Sequence, residues 1–355
     1  MLIARAPVRL SFLGGGTDLP AYYERFGGAV LSTSLNKYVY VIMNVSEESP
    51  LQITSSDYRT FYRHTPGEPL LWDGDLNLPR AVFQHFGVEY GVSIFLASEV
   101  PPGTGLGSSS SVTVALVKAI STACGQKLSK AQVAQLACDI EIGKLGKPIG
   151  VQDQYASAFG GLNWIRFEST KVSVEPLPVA PDIMAHLERR LLLMFTGTAH
   201  DSAQILSHQR KASQELNKTV IDSLQAAHGL ALRGRDYLMS GQVDRFGALL
   251  DEAWSYKKKF APGVSNERID HCYAIARNNG AIGGKIAGAG GGGFLILYCE
   301  DEALERVAMK LTDEGLRRMD IHFENDGARV LFNAGLRLQP QPVSVALPGA
   351  ALTAR

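Results

Sequence analysis

The chain has 355 residues, with 35 Lys+Arg against 35 Asp+Glu and 45% hydrophobic residues. This balance suits one large globular domain or two ordinary ones, argues against disorder, and gives no electrostatic footprint for nucleic acid or an anionic membrane. No apolar run approaches the roughly 20 residues that span a bilayer. The opening MLIARAPVRLSFLGGG, broken by Arg5 and Arg9, lacks the continuous apolar centre of a secretory signal. Cys124, Cys138, Cys272 and Cys299 are scattered without C-x-x-C spacing. Reduced thiols in a cytoplasmic protein are expected, with no disulfide framework or zinc site.

In chain order, LIARAPVRLSFL and AVLSTSLNKYVYVIMNV predict strands, the second rich in β-branched and aromatic residues. Residues 51–72 read as short strands, LPRAVFQHFG as a helix ended by Gly87, and GVSIFLASEV as a strand. After the loop PPGTGLGSSSS, the residues Val112, Leu116, Ala119 and Ala123 predict a helix. Ser129 should cap another, with the stripe Val133, Leu136 and Ile140. A loop over GKPIGVQDQYASAFGG leads to the strand LNWIRF, and the proline-rich 176–181 marks a domain boundary. Beyond it are expected a short helix or turn at 181–190, the strand LLLMFTG and helices over 201–253 broken near Gly241. A further helix should be capped at Ser265-Asn266. GAIGGKIAGAGGGG then reads as a glycine loop feeding the strand FLILYC, followed by a helix stopped by Gly315. The proline-containing end is expected to be a flexible tail. Strands gather in the first half and helices in the second, which suggests an α+β fold.

The 36 glycines exceed the usual share. They cluster at 14–16, 103–107, 143–161 and 280–293, where the backbone needs positive φ or close approach. In PPGTGLGSSSS, glycines precede a helix whose free N–H groups and dipole suit an anion. The plain alternative is a serine-capped helix after a connecting loop. It is neither a G-K-[ST] phosphate loop nor G-x-G-x-x-G. Asp153, in a glycine-framed loop, reads as a helix cap or a general base. Glu141, on a helix edge, reads as solvated or as a metal ligand. Asp18, after three glycines, is either a capping residue or a binder of hydroxyls. Arg9, inside a strand, needs a partner.

Taken together, three segments resemble the GHMP kinase superfamily: APxR…GxxTD (Ala6-Pro7, Arg9, Gly14, Thr17, Asp18), P-x-x-x-G-L-G-S-S (Pro101 to Ser109) and K-x-x-G-A-G-G-G-G (Lys285, Gly288 to Gly293). The resemblance covers roughly residues 1–335. It implies a two-domain α+β fold, an N-terminal domain (1–180) like ribosomal S5 domain 2 and a ferredoxin-like C-terminal domain (181–338), with a tail at 339–355. It implies ATP and Mg²⁺, with Pro101, Gly103, Gly105, Leu106, Gly107, Ser108, Ser109 and Ser110 around the phosphates. Ser108 or Ser109 with Glu141 would hold the metal. Asp153 would be the catalytic base, with Arg9 beside it. Galactokinases carry Glu-His where this chain has Gly15-Gly16. SFLGGGTDLP, GVQDQYASAFGG, LLLMFTG and GAGGGGF resemble bacterial D-glycero-D-manno-heptose 7-phosphate kinases more closely, and in part fucose kinases.

That likeness implies phosphorylation of an anomeric hydroxyl for nucleotide-activated heptose and surface polysaccharide. The acceptor is expected to touch Gly15, Gly16, Thr17, Asp18, Lys37, Thr196, Gly197, His200, Gly290 and Gly291. Relatives often have an arginine where His200 stands. The expected partner is a small sugar phosphate, not nucleic acid or membrane, and a homo-oligomer stays open. Two rival classes are a non-catalytic sugar sensor, and a decarboxylase, which Thr17-Asp18 disfavours.

Overall fold

In the computed structural model, residues 1–56, 60–63, 76–88, 90–197 and 202–339 are described, the side chains of 46–50 and 90 excepted. Strand β1 (Leu2–Leu13) runs antiparallel to the long β2 (Gly28–Pro50), with helix α1 (Pro20–Phe26) between them. Along β1, Leu2, Ala4 and Ala6 enter one apolar core, whereas Val8, Leu10 and Phe12 enter another. The register of the pair shifts between Pro7 and Arg9. Such an irregularity re-aims side chains, and here it falls where the strand passes between the two cores.

The first sheet continues with β3 (Gln52–Ser55), β4 (Thr60–Arg63) and β5 (Tyr90–Ser98); α2 (Asn77–His85) precedes β5. Helix α3 (Ser108–Ala123) packs on this sheet together with α5 (Gln152–Phe159), and α4 (Lys130–Cys138) packs against these two helices. Between α4 and α5 lies a π-helical turn, Asp139–Lys144. Ser129 caps α4 reciprocally with Gln132, as expected. α3 starts at Ser108, because the serines are themselves helical and Gly107 before them is left-handed at φ 75°. β6 (Asn163–Glu168) pairs with β2 and with β7 (Lys171–Pro176), a strand that the sequence reading did not include.

Helix α6 (Pro181–Arg189) leads into β8 (Leu191–Phe195). The expected helical stretch is α7 (Ser202–Gln214), α8 (Lys218–Met239) and α9 (Phe246–Lys257), with the break at Gly241 and a second before Asn217, which caps α8. Asn266 caps α10 (Glu267–Asn278). Part of the expected glycine loop is instead strand β9 (Ala281–Ile286), hydrogen-bonded to β10 (Phe294–Cys299). α11 (Asp301–Asp313) follows, and β11 (Arg317–Met319) completes a four-stranded sheet ordered β11-β8-β10-β9.

The chain then returns to the first sheet. β12 (Phe323–Glu324) pairs with β2, and β13 (Arg329–Asn333) pairs with β1. A shared core joins the two sheets: Leu10, Phe12 and Leu13 of β1 meet Leu230 and Ala231 of α8 and Phe246 and Leu250 of α9. No helix among the described residues is long and apolar enough to cross a membrane. Residues 57–59, 64–75 and 340–355, with most of the expected tail, lie outside the described residues.

Candidate active site

A cleft of about 340 Å³ opens between the halves, lined by the glycine loop, the starts of α3 and α5, the turn after β1, and parts of α7, α9 and β9. Gly103, Gly105, Gly107, Ser108, Ser109 and Ser110 line it. No side chain caps the N-terminus of α3, so its first N–H groups and the helix dipole are available to an anion. Pro101 is exposed and Leu106 fully buried; neither lines the cleft. Leu106 instead gives its carbonyl to Arg9 N at 3.0 Å, fastening the loop to β1. The loop also abuts the last glycine segment. A Cβ on Gly105 would stand 2.5 Å from Ala287 O, and one on Gly288 would stand 2.5 Å from Gly105 Cα. Only glycine permits this contact of two backbones.

Arg9, 4% exposed, grips Asp153 with two parallel bonds: Nε to Oδ1 at 2.7 Å and Nη2 to Oδ2 at 2.8 Å. Nη1 donates to Gly105 O. This fork fixes the carboxylate's plane. Asp153 sits in the first turn of α5 rather than in a loop. A Cβ on Gly107 would lie 3.0 Å from Asp153 Oδ2, so the carboxylate borders the glycine loop directly.

Glu141, read from sequence as a helix-edge residue, is fully buried in the π-helical turn. Its Oε2 accepts from Gln154 Nε2 at 2.7 Å, and its Oε1 accepts from Lys147 Nζ at 3.2 Å. Ser109 Oγ lies 3.5 Å from Glu141 Oε1 and 3.1 Å from Lys147 Nζ. The Lys147 ammonium thus sits between a hydroxyl and a carboxylate as a cation would. These hard oxygen donors fit Mg²⁺, which takes few protein ligands and leaves the rest to phosphate and water. Of the two candidate serines, Ser109 is the one placed beside Glu141. Among the described residues no group of three or more His, Cys, Asp or Glu side chains forms a further metal cluster.

Gly15, Gly16 and Asp18 line the cleft; Thr17 does not. Thr17 is buried, donating to Gly14 O at 2.8 Å and accepting from Ala29 N at 3.1 Å, so it ties the turn to β2. Asp18 Oδ1 accepts from Gly16 N at 2.9 Å and Oδ2 from Gln152 N at 3.4 Å. Burial, and then the nearby Asp153 charge, raise the Asp18 carboxyl above its ordinary value. Gly290 lines the cleft, while Gly291 binds Val264 O through its N–H. Thr196 donates from its N–H and hydroxyl to Gly293 O, both at 2.9 Å, and with Lys37 and Gly197 stands away from the cleft lining. His200 lies outside the described residues.

The sequence reading assigned no role to several residues that the fold brings here. Ser11 and Gln152 line the cleft, and their Oγ and Oε1 are buried without partners among the described residues, which suits the hydroxyl-rich face of a ligand. Gln209 of α7 donates to Gly16 O at 3.2 Å. Lys257 and Lys285 are buried at the cleft wall. Lys257 is held well below the ordinary lysine range by burial, then by Lys285 and Arg9. Lys285 is brought down to about 7 by burial and then by Arg9. Lys285 alone carried a signal, as the first residue of the third motif.

Comparison with known proteins agrees with this geometry. The family described as GHMP kinases N terminal domain matches residues 77–161, and GHMP kinases C terminal matches residues 235–316. The chain is 30% identical over 335 residues to a protein of Campylobacter jejuni named D-glycero-alpha-D-manno-heptose 7-phosphate kinase, covering 92% of this chain and 97% of that one. It is 28% identical to the Arabidopsis thaliana bifunctional fucokinase/GDP-fucose pyrophosphorylase over 83% of this chain and 29% of the other. A crystal structure described as a D-glycero-D-manno-heptose 1-phosphate kinase from Bacteroides thetaiotaomicron superposes with a TM-score of 0.78 at 27% identity, covering 94% of this chain and 99% of that one. With the glycine loop, the Arg9–Asp153 pair and two matched domains in one cleft, the chain belongs to the GHMP kinase family.

Proposed function

We propose that this GHMP kinase, an ATP-dependent sugar kinase, transfers the terminal phosphoryl group of ATP to the anomeric hydroxyl of D-glycero-D-manno-heptose 7-phosphate. The observation that carries the reading is the placement of Asp153. It is clamped by Arg9 and borders a glycine loop and an uncapped helix start, so a proton acceptor and a phosphate cradle face one space. The backbone N–H groups at the start of α3 hold the phosphates. Asp153 takes the proton of the acceptor hydroxyl as its oxygen bonds to phosphorus and the bond to ADP breaks. Ser109 and Glu141 would hold Mg²⁺, which when bound offsets phosphate charge. Asp18, Ser11 and Gln152 face the acceptor's hydroxyls.

The Campylobacter jejuni and Bacteroides thetaiotaomicron names support a heptose phosphate, although they differ in the phosphate they specify. The product would be an anomeric phosphate, the substrate class of nucleotidyl transfer in surface polysaccharide synthesis, and ATP supply places the reaction in the cytoplasm. The test is a phosphorylation screen over free sugars, sugar phosphates and mevalonate. Heptose 7-phosphate is expected to exceed free heptose in kcat/KM by about 10- to 150-fold, the worth of a charged hydrogen bond to a phosphate. Equal rates would replace the heptose assignment by a fucokinase-like reading for a free sugar. No phosphorylated acceptor at all would leave the sensor class.

The metal site gives a separate expectation. Glu141→Gln removes the charged oxygen and should raise the Mg²⁺ concentration needed for half-maximal rate by at least about tenfold. Ser109→Ala should shift the same titration more than Ser108→Ala, because Ser109 Oγ is the hydroxyl beside Glu141. Unchanged titration curves for all three variants would place the metal elsewhere.

A further inference from the structure

Among the described residues, four cationic side chains line the cleft: Arg9, Lys147, Lys257 and Lys285. Three have their donors engaged. Arg9 holds Asp153 with two bonds and Gly105 O with a third. Lys147 Nζ is shared between Ser109 Oγ and Glu141 Oε1. Lys257 Nζ donates to Ile286 O and Gly288 O, both at 2.6 Å. Lys285 remains. It is 5% exposed, and its ammonium makes no hydrogen bond or ion pair among the described residues.

An unpaired buried ammonium is costly, and burial among like charges deepens the cost. Arg9 and Lys257 both stand close enough to Lys285 to act on its charge or be acted on by it, and Asp18 offsets Lys257. Arg9 already has Asp153 and Lys257 has Asp18 nearby, so Lys285 is the charge that an entering anion would balance. The position fits that reading. Lys285 is one residue from the end of β9, and the chain after β9 contacts the glycine loop at Gly105.

We propose that Lys285 is the seat for a phosphate oxygen brought into the cleft by a substrate. The proposal rests on the kinase reading for its choice of ligands. One phosphate chemistry has two sources there, the terminal phosphate of ATP and the phosphate carried by the acceptor. The full chain carrying Lys285→Met is compared with wild type and with Lys285→Arg, which keeps the charge. Two measurements distinguish the sources. One is calorimetric affinity for a non-hydrolysable ATP analogue against ADP, without acceptor. The other is kcat/KM for the phosphorylated acceptor against its free sugar.

If the nucleotide is the source, Lys285→Met weakens the ATP analogue by about 10- to 150-fold while ADP changes little. If the acceptor is the source, nucleotide binding is unchanged and the preference for the phosphorylated sugar falls by the same factor. Lys285→Arg recovers part of either loss. A folded Lys285→Met protein with both comparisons at wild-type values overturns the proposal. Should that variant fail to fold, Lys285→Gln is read by the same criteria. A wild-type protein that phosphorylates no sugar defeats the proposed function alone, since the ATP-against-ADP comparison needs no turnover.

Discussion

Asp153→Asn is expected to lower kcat by about 10²–10⁴, the usual worth of a positioned acid–base group. The asparagine has nearly the same shape and keeps an acceptor for the Arg9 fork, so the cleft geometry should survive. It cannot take the hydroxyl proton. Affinity for ATP should change little, because the loop and the start of α3 proposed to hold the phosphates keep their backbone donors. Stability should fall by about 1–3 kcal/mol, since Arg9 is buried and loses a charged partner. Steady-state kinetics and a melting curve read both effects. A kcat close to wild type would remove Asp153 from the chemistry and leave it as the anchor of Arg9.

The second large effect is expected at a glycine facing the acceptor side. A Cβ on Gly150 would lie 1.9 Å from Asp18 Oδ2 and 2.5 Å from its Cγ. The carboxylate cannot simply swing aside. Its oxygens are held by Gly16 N and Gln152 N, and its own backbone carbonyl accepts from Val151 N at 3.2 Å. Gly150→Ala should therefore displace Asp18 and raise the acceptor KM by about 10²-fold, the upper end of what overpacking costs. ATP affinity should stay near wild type, because the atoms nearest a Cβ at Gly150 belong to Asp18 and not to the glycine loop. An unchanged acceptor KM would mean that Asp18 does not meet the acceptor.

How much of this was legible in the chain depends on what kind of signal each residue leaves. The phosphate loop and the start of α3 announce themselves, because glycines followed by serines are needed for that backbone. Asn266 and Ser129 were readable as caps for the same reason: a local hydrogen bond leaves a local residue type. The burial of Glu141 was not legible, because helical periodicity assumes 3.6 residues per turn. The stripe Val133, Leu136, Ile140 runs into a π-turn closed by Leu145 N to Ile140 O at 3.0 Å, and the wider turn brings Glu141 inward.

α5 was missed because it is short and framed by Gly150 and Gly160, which read as loop. Around Lys285 the glycines misled in another way. A Cβ on Gly283 would stand 2.1 Å from Gly247 O. That glycine serves close approach of helix α9 to a strand, not a turn. Pairings such as Arg9 with Asp153, or Ser109 with Glu141, join residues far apart in sequence, and only the resemblance to a family put them on one page beforehand.

The return of the chain to its first sheet has a consequence for how the protein is made. β1 is flanked by β2 on one side and by β13 on the other, with Leu2 opposite Asn333. A ribosome delivers β1 about 300 residues before β13. Until then one edge of β1 offers unpaired N–H and C=O groups, the kind of edge that recruits other chains. The nascent chain must carry this open edge until the intervening residues have been made. The contact that closes it joins strands far apart in sequence, which places it among the slower kinds of event in folding.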